Sequence, residues 1–113
     1  MSEIIFKIAP EVLWREALEQ GRFTGSPVDV ADGFIHFSTP AQVRETAAKH
    51  FAGVDELVLV AVATDGLDLR WEPSRGGDLF PHLYGALPLS AVRWVQPLPL
   101  GADGHHVFPD LSQ

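Results

Sequence analysis

The stretch Gly33-Phe34-Ile35-His36-Phe37-Ser38-Thr39-Pro40 decides how the rest of the chain is read. It is an apolar run with one imidazole in its middle, and it stops where a helix can start. Ser38 or Thr39 can act as N-cap, and Pro40 suits the first helical turn, where a missing N–H is no loss. The stretch therefore predicts a strand over about Phe34 to Ser38 and a helix from Pro40 to about Phe51. Such a junction sets a titratable group beside backbone N–H groups that suit an anion.

Before this stretch, Ile4 to Ala9 reads as a strand, with Ile4, Phe6 and Ile8 on one face and Ile5 and Lys7 on the other. Pro10 opens a helix to about Gln20, stopped by Gly21, whose stripe of Leu13, Trp14, Ala17 and Leu18 marks Trp14 as a core anchor. Residues 21–32 show little periodicity and read as a loop, from which Arg22, Thr24 and Ser26 can reach a ligand. After it, Val43, Ala47, Ala48 and Phe51 form the buried face of the second helix. Leu57 to Ala63 has no polar alternation and predicts a strand covered on both faces, at the centre of a sheet. Leu69 to Glu72 is a short strand, and Pro73 to Asp78 a flexible loop. Leu79 to Gly85 is a second apolar run with an imidazole inside. Pro88 to Ala91 is one helical turn, and Val92 to Leu98 a closing strand. Short strands with two early helices and a strand-rich second half predict an α+β fold.

The totals bound the function. One domain over residues 1–113 is expected, with 46% hydrophobic residues to build its core. No apolar run approaches the ~18–20 residues of a membrane span, and no basic segment precedes the first apolar residues as in a signal peptide. There is no cysteine, which fits a cytoplasmic protein and removes thiolate chemistry. A net charge of −7 disfavours a nucleic-acid partner, because phosphate neutralisation needs clustered Lys and Arg. Neither a Gly-x-Gly-x-x-Gly fingerprint nor a P-loop is present.

Few polar residues are embedded in the apolar strands: Lys7, His36, Arg70, Glu72, His82 and Tyr84. A buried charge must be paired or face a cleft, since desolvation otherwise costs several kcal/mol. Arg70 and Glu72 can satisfy each other, and His36 and His82 can be hydrogen-bonded core residues. A shared cleft beside the glycine-rich loop is the other way to accommodate them. His36, His82, His105 and His106 lack zinc-ligand spacing, so no metal is expected. Ser38 and Ser74 lack a nucleophile elbow.

The motifs Gly33-Phe34-Ile35-His36-Phe37-Ser38-Thr39 with Gln42, Leu57-Val58-Leu59, Leu69-Arg70-Trp71-Glu72-Pro73 and Gly77-Asp78-Leu79-Phe80-Pro81-His82-Leu83-Tyr84-Gly85 closely resemble the bacterial family called domain of unknown function 952. The resemblance runs from about Ile5 to Leu98. It implies an ADP-ribosylation-type fold, a split, mostly antiparallel β structure around a cleft with two helices in the N-terminal half. More distantly, Ile35-His36-Phe37-Ser38 is similar to a strand of RNA 2′-phosphotransferases of the KptA type. It also corresponds to the strand of poly-ADP-ribose polymerases whose tyrosine stacks on nicotinamide.

By this resemblance the ligand is NAD, as substrate, or a related small nucleotide. His36, Asp78 and His82 are the implied catalytic residues, with Asp78 or His82 in the place of the superfamily glutamate. Lys7, Ser38, Thr39, Arg70, Arg75 and Tyr84 are the implied binding residues. Lys7 stands where relatives carry His or Arg, and Asp78 is one carbon shorter than Glu. The alternatives are a non-catalytic nucleotide or small-anion binding module and a protein-interaction domain. The resemblance also makes the Gly77 to Gly85 segment the partner of the His36 strand.

Overall fold

The uninterrupted apolar run Leu57–Ala63 becomes a strand, β4, with every residue buried. It lies between β1 (Ile4–Pro10) and β8 (Val92–Leu98), antiparallel to both. The structure is a computed structural model and describes residues 3–74 and 77–111. Along the chain, β1 is followed by α1 (Glu11–Gln20), β2 (Arg22–Phe23), α2 (Pro27–Asp32), β3 (Ile35–His36) and α3 (Val43–His50). After β4 come β5 (Leu69–Ser74), β6 (Asp78–Leu83), β7 (Leu87–Pro88), a 3₁₀ turn over Leu89–Ala91, and β8. A second antiparallel sheet has the order β3-β6-β5, and β2 pairs with β7 in a two-residue ladder.

Each face of the β1-β4-β8 sheet has its own core. Phe6, Ile8, Leu57, Leu59 and Ala61 pack against Val43 and Ala47 of α3. Ile5, Ala9, Val58, Val60 and Val62 pack with Trp14 and Ala17 of α1 and with Ile35, Phe37 and Leu83 of the second sheet. The alternation in β1 thus sorts as its sequence predicts, and it puts Lys7 on the inner face between the two sheets. Among the described residues, no helix is long and apolar enough to cross a membrane.

The two sheets meet at one crossing. Phe37 N donates to Pro81 O (3.0 Å), still in register with β6. One residue later the chain has changed partner: Phe6 N donates to Ser38 O and Ser38 N to Phe6 O, both at 2.8 Å. The extended segment after Gly33 is therefore shared between sheets, which is why only Ile35–His36 forms a ladder of its own.

Three further departures from the sequence reading have local causes. Residues 21–32 hold β2 and α2 as well as loop. Ser26 N and Oγ both donate to Asp29 Oδ2 (2.8 Å each), and Pro27 opens the helix, a capping box on a six-residue element with no apolar stripe. The helix expected from Pro40 begins at Val43, after a turn in which Thr39 O accepts from Gln42 N and Val43 N (3.0 Å each). The expected Pro73–Asp78 loop is shorter, because β5 runs to Ser74 and β6 starts at Asp78.

Gly33 closes α2 with φ +86°, and its N–H donates to Asp29 O at 2.9 Å. A Cβ there would meet nothing within 4 Å, so Gly33→Ala tests the left-handed backbone alone. It is expected to cost about 1–2 kcal/mol in urea unfolding. An unchanged midpoint would show that the turn adapts.

Candidate functional site

The register of β3 on β6 sets His36 directly opposite His82. Opposed residues of an antiparallel pair share a face, and here the two rings lie 5.3 Å apart, edge to face. Arg70 of β5 opposes His82 from the other side, with Glu72 two residues further along the same face. Phe34 covers this array. It stacks on His82 (centroids 4.1 Å, planes 23° apart) and meets His36 at 4.7 Å and Tyr84 at 5.2 Å. The Arg70 guanidinium sits 4.8 Å over the Tyr84 ring, in the range of a cation–π contact.

Each imidazole has its own carboxylate. Behind His36 is Asp29, only 1% exposed. Its Oδ1 accepts from His36 Nδ1 (2.6 Å), His36 N (3.1 Å) and Lys7 Nζ (3.0 Å); its Oδ2 is 2.8 Å from Lys7 Nζ and takes both Ser26 donors. Burial alone would push the Asp29 carboxyl up. The His36 bond, the Lys7 charge and the Ser26 amide outweigh it and hold the carboxyl well below the usual range. Burial pushes Lys7 below the usual lysine range, partly offset by Asp29. On its outer side, His36 Nε2 lies 3.0 Å from Asp32 Oδ2. Both contacts of the ring are hydrogen bonds together only when both nitrogens carry protons, as in the imidazolium.

His82 is held differently. Its Nδ1 lies 2.8 Å from Glu72 Oε1, which also accepts from Tyr84 OH at 2.8 Å. These two bonds, His82 first, hold Glu72 below the usual glutamate range. The bond to Glu72 raises the Tyr84 phenol, which stays protonated. An ionised carboxylate only accepts, so His82 Nδ1 carries a proton, and Nε2 is the ring nitrogen turned away from Glu72. Residue His82 is 4% exposed, and among the described residues Nε2 has no hydrogen-bond partner.

A cleft of about 460 Å³ opens beside the sheet crossing, walled by Asp32, His36, Ser38, Thr46, Phe80 and His82 among others. A mostly apolar wall with a few convergent polar groups is the usual make-up of a small-molecule site. A second hollow of about 370 Å³, along α3 and the 104–108 segment, includes Arg44, His105 and His106 but none of the polar strand residues. Among the described residues, no group of three or more His, Asp or Glu side chains is arranged to hold a metal ion.

Of the residues singled out in the sequence, His36, Ser38 and His82 line this cleft. Ser38 Oγ is 2.9 Å from Thr46 Oγ1. Tyr84 and Arg70 reach His82 through Glu72 and the ring stack. Lys7 lies behind His36, 5% exposed and paired with Asp29. Thr39 borders a different hollow, with Pro40 and Trp71. Asp78 is exposed at the start of β6, four residues and about 13 Å along the strand from His82. Arg75 lies outside the described residues. Sequence reasoning does not find Asp29, Asp32 or Phe34. For Asp29 a signal exists, because Ser26-Pro27-Val28-Asp29 has capping-box spacing.

The profile of the family described as Protein of unknown function (DUF952) matches residues 8–95. The fold is similar to the crystal structure of protein CC0527 from Caulobacter crescentus, with 52% sequence identity, 92% of this chain and 93% of that chain covered, and a TM-score of 0.87. It is also similar to the solution NMR structure of CC0527, with 53% identity, 90% of each chain covered and a TM-score of 0.81. No functionally curated protein matches the chain.

Proposed function

The chain belongs to the DUF952 family of proteins of unknown function, and from that premise we propose that it is a transferase-type protein whose cleft takes the ribosyl part of NAD or a related nucleotide. The observation that carries the proposal is His82 Nε2, a buried ring nitrogen without a hydrogen-bond partner among the described residues, in the wall of a ligand-sized cleft. A buried polar atom left unsatisfied costs about 1–3 kcal/mol, and a ligand hydroxyl bonded to it removes that cost.

In this reading His82 takes the proton of an acceptor or water hydroxyl as that oxygen bonds to the ribosyl carbon and the heterocycle leaves with the electron pair of its broken C–N bond. Glu72 keeps the ring in the required tautomer and stabilises the imidazolium that forms, while Tyr84 and Phe34 hold Glu72 and His82 in place. Loss of a heterocycle from a ribosyl carbon develops positive charge on the sugar. The Asp32 carboxylate in the cleft wall suits that charge. Split antiparallel sheets, with an imidazole on each of two paired strands, support the likeness to ADP-ribosylation folds.

Binding without turnover is a second reading. It is favoured by the exposed position of Asp78, the acid that the family resemblance assigns to the ribose. Calorimetry with NAD and ADP-ribose, beside an assay of nicotinamide release, separates the two. Binding with release is the expected result. Binding without release selects the binding module, and no binding at millimolar ligand overturns both.

A further inference from the structure

The cleft has an acid in its wall and no lysine or arginine among its described lining residues. Lys7 and His36 face Asp29 and Asp32, and each already has its carboxylate at 2.6–3.0 Å. Glu72 adds a further negative charge behind His82. Arg70 stacks on Tyr84, and His50, in the cleft lining, is engaged in a contact of its own. Among the described lining residues a phosphate entering here would meet no lysine or arginine and would face the Asp32 carboxylate. What the site lacks is a hydroxyl-like partner: among the described residues His82 Nε2 has none, and Asp32 is half-exposed with acceptor capacity beyond its contact with His36.

We infer that the cleft selects an uncharged, hydroxyl-bearing ligand, a ribonucleoside unit without its phosphates, and that Asp32 is the residue that excludes anions. The inference rests on reading the cleft as a nucleotide site and narrows it: any phosphates of the ligand stay outside. Asp32 is a specificity residue here. The Asp32→Asn amide oxygen still accepts from His36, so the substitution removes charge while keeping the contact.

The test titrates protein carrying ¹⁵N-histidine with adenosine, uridine and their 5′-monophosphates, reading the His82 Nε2 shift and the Kd. Nucleosides are expected to move that shift and to bind at least about ten-fold tighter than the monophosphates, because like charges suppress the wrong partner. Asp32→Asn should close the gap by tightening the monophosphates, and Asp32→Glu should keep it. Monophosphates that bind wild-type protein as tightly as nucleosides, or a gap that survives Asp32→Asn, overturn the inference. If NAD and ADP-ribose bind with phosphate-dependent affinity, the inference fails and the proposed function stands. If nucleosides bind as described and NAD and ADP-ribose do not, the proposed function fails and the inference stands. A His82 shift that no probe moves overturns both.

Discussion

Asp29→Ala is expected to destabilise the protein by about 3–5 kcal/mol, the usual loss when one partner of a buried ion pair is removed. The substitution strands Lys7, 5% exposed, on the inner face of β1 without its counter-charge. It also takes the acceptor from Ser26 N, Ser26 Oγ and His36 N. Against the roughly 5–15 kcal/mol that holds a typical domain together, this is a large share. Urea unfolding followed by tryptophan fluorescence measures it, and a loss under about 1 kcal/mol would show that Lys7 finds water or another partner. Adding Lys7→Met should recover part of the loss, since a buried pair can be exchanged for apolar groups at little cost. Recovery stays incomplete, because the α2 cap is still missing.

The same carboxylate sets the acid limit. Asp29 is held below its ordinary value of 3.8, and Glu72 below 4.5. As pH falls past those ordinary values, the unfolded chain takes up protons that the folded chain refuses. In that interval stability rises with pH. The contribution is whole above about pH 5 and is lost as pH falls through the folded values. The stability–pH curve of Asp29→Ala should therefore be flatter than wild type below about pH 4.

His82→Gln is the second large expectation. The amide can still donate toward Glu72, but no imidazole lone pair faces the cleft. Loss of a general base typically costs about 10²–10⁴-fold in turnover, so nicotinamide release should fall by that factor. Glu72→Gln keeps the imidazole but removes the charge that fixes its tautomer. It should lower the rate less and change its pH profile. Release that is unchanged in His82→Gln removes His82 from the chemistry, whatever the ligand.

What the sequence makes legible follows from periodicity. β1 alternates between two cores, β4 is apolar throughout because it is covered twice, and two strands carry an imidazole each and pair. Asp29 escapes because it acts across distance: its partners Lys7 and His36 lie 22 and 7 residues away, and no local pattern ties them together. α2 escapes because its buried residue is an acid, so it shows no apolar stripe to find. The carboxylate of Glu72 is visible as an embedded charge. Its commitment to His82 and Tyr84 rather than to Arg70 depends on register and ring packing, which only the folded chain supplies.

The strand order β1-β4-β8 also has a kinetic consequence. The hairpin of β5 and β6, which carries Glu72 and His82, closes over a few residues and can form early. The β1-β4-β8 sheet joins residues near 7, 60 and 95, so two wide loops must close before it exists. High contact order of this kind slows folding. The cleft wall that bears Phe80 and His82 thus arises from neighbours in sequence, and the β1-β4-β8 sheet is completed last.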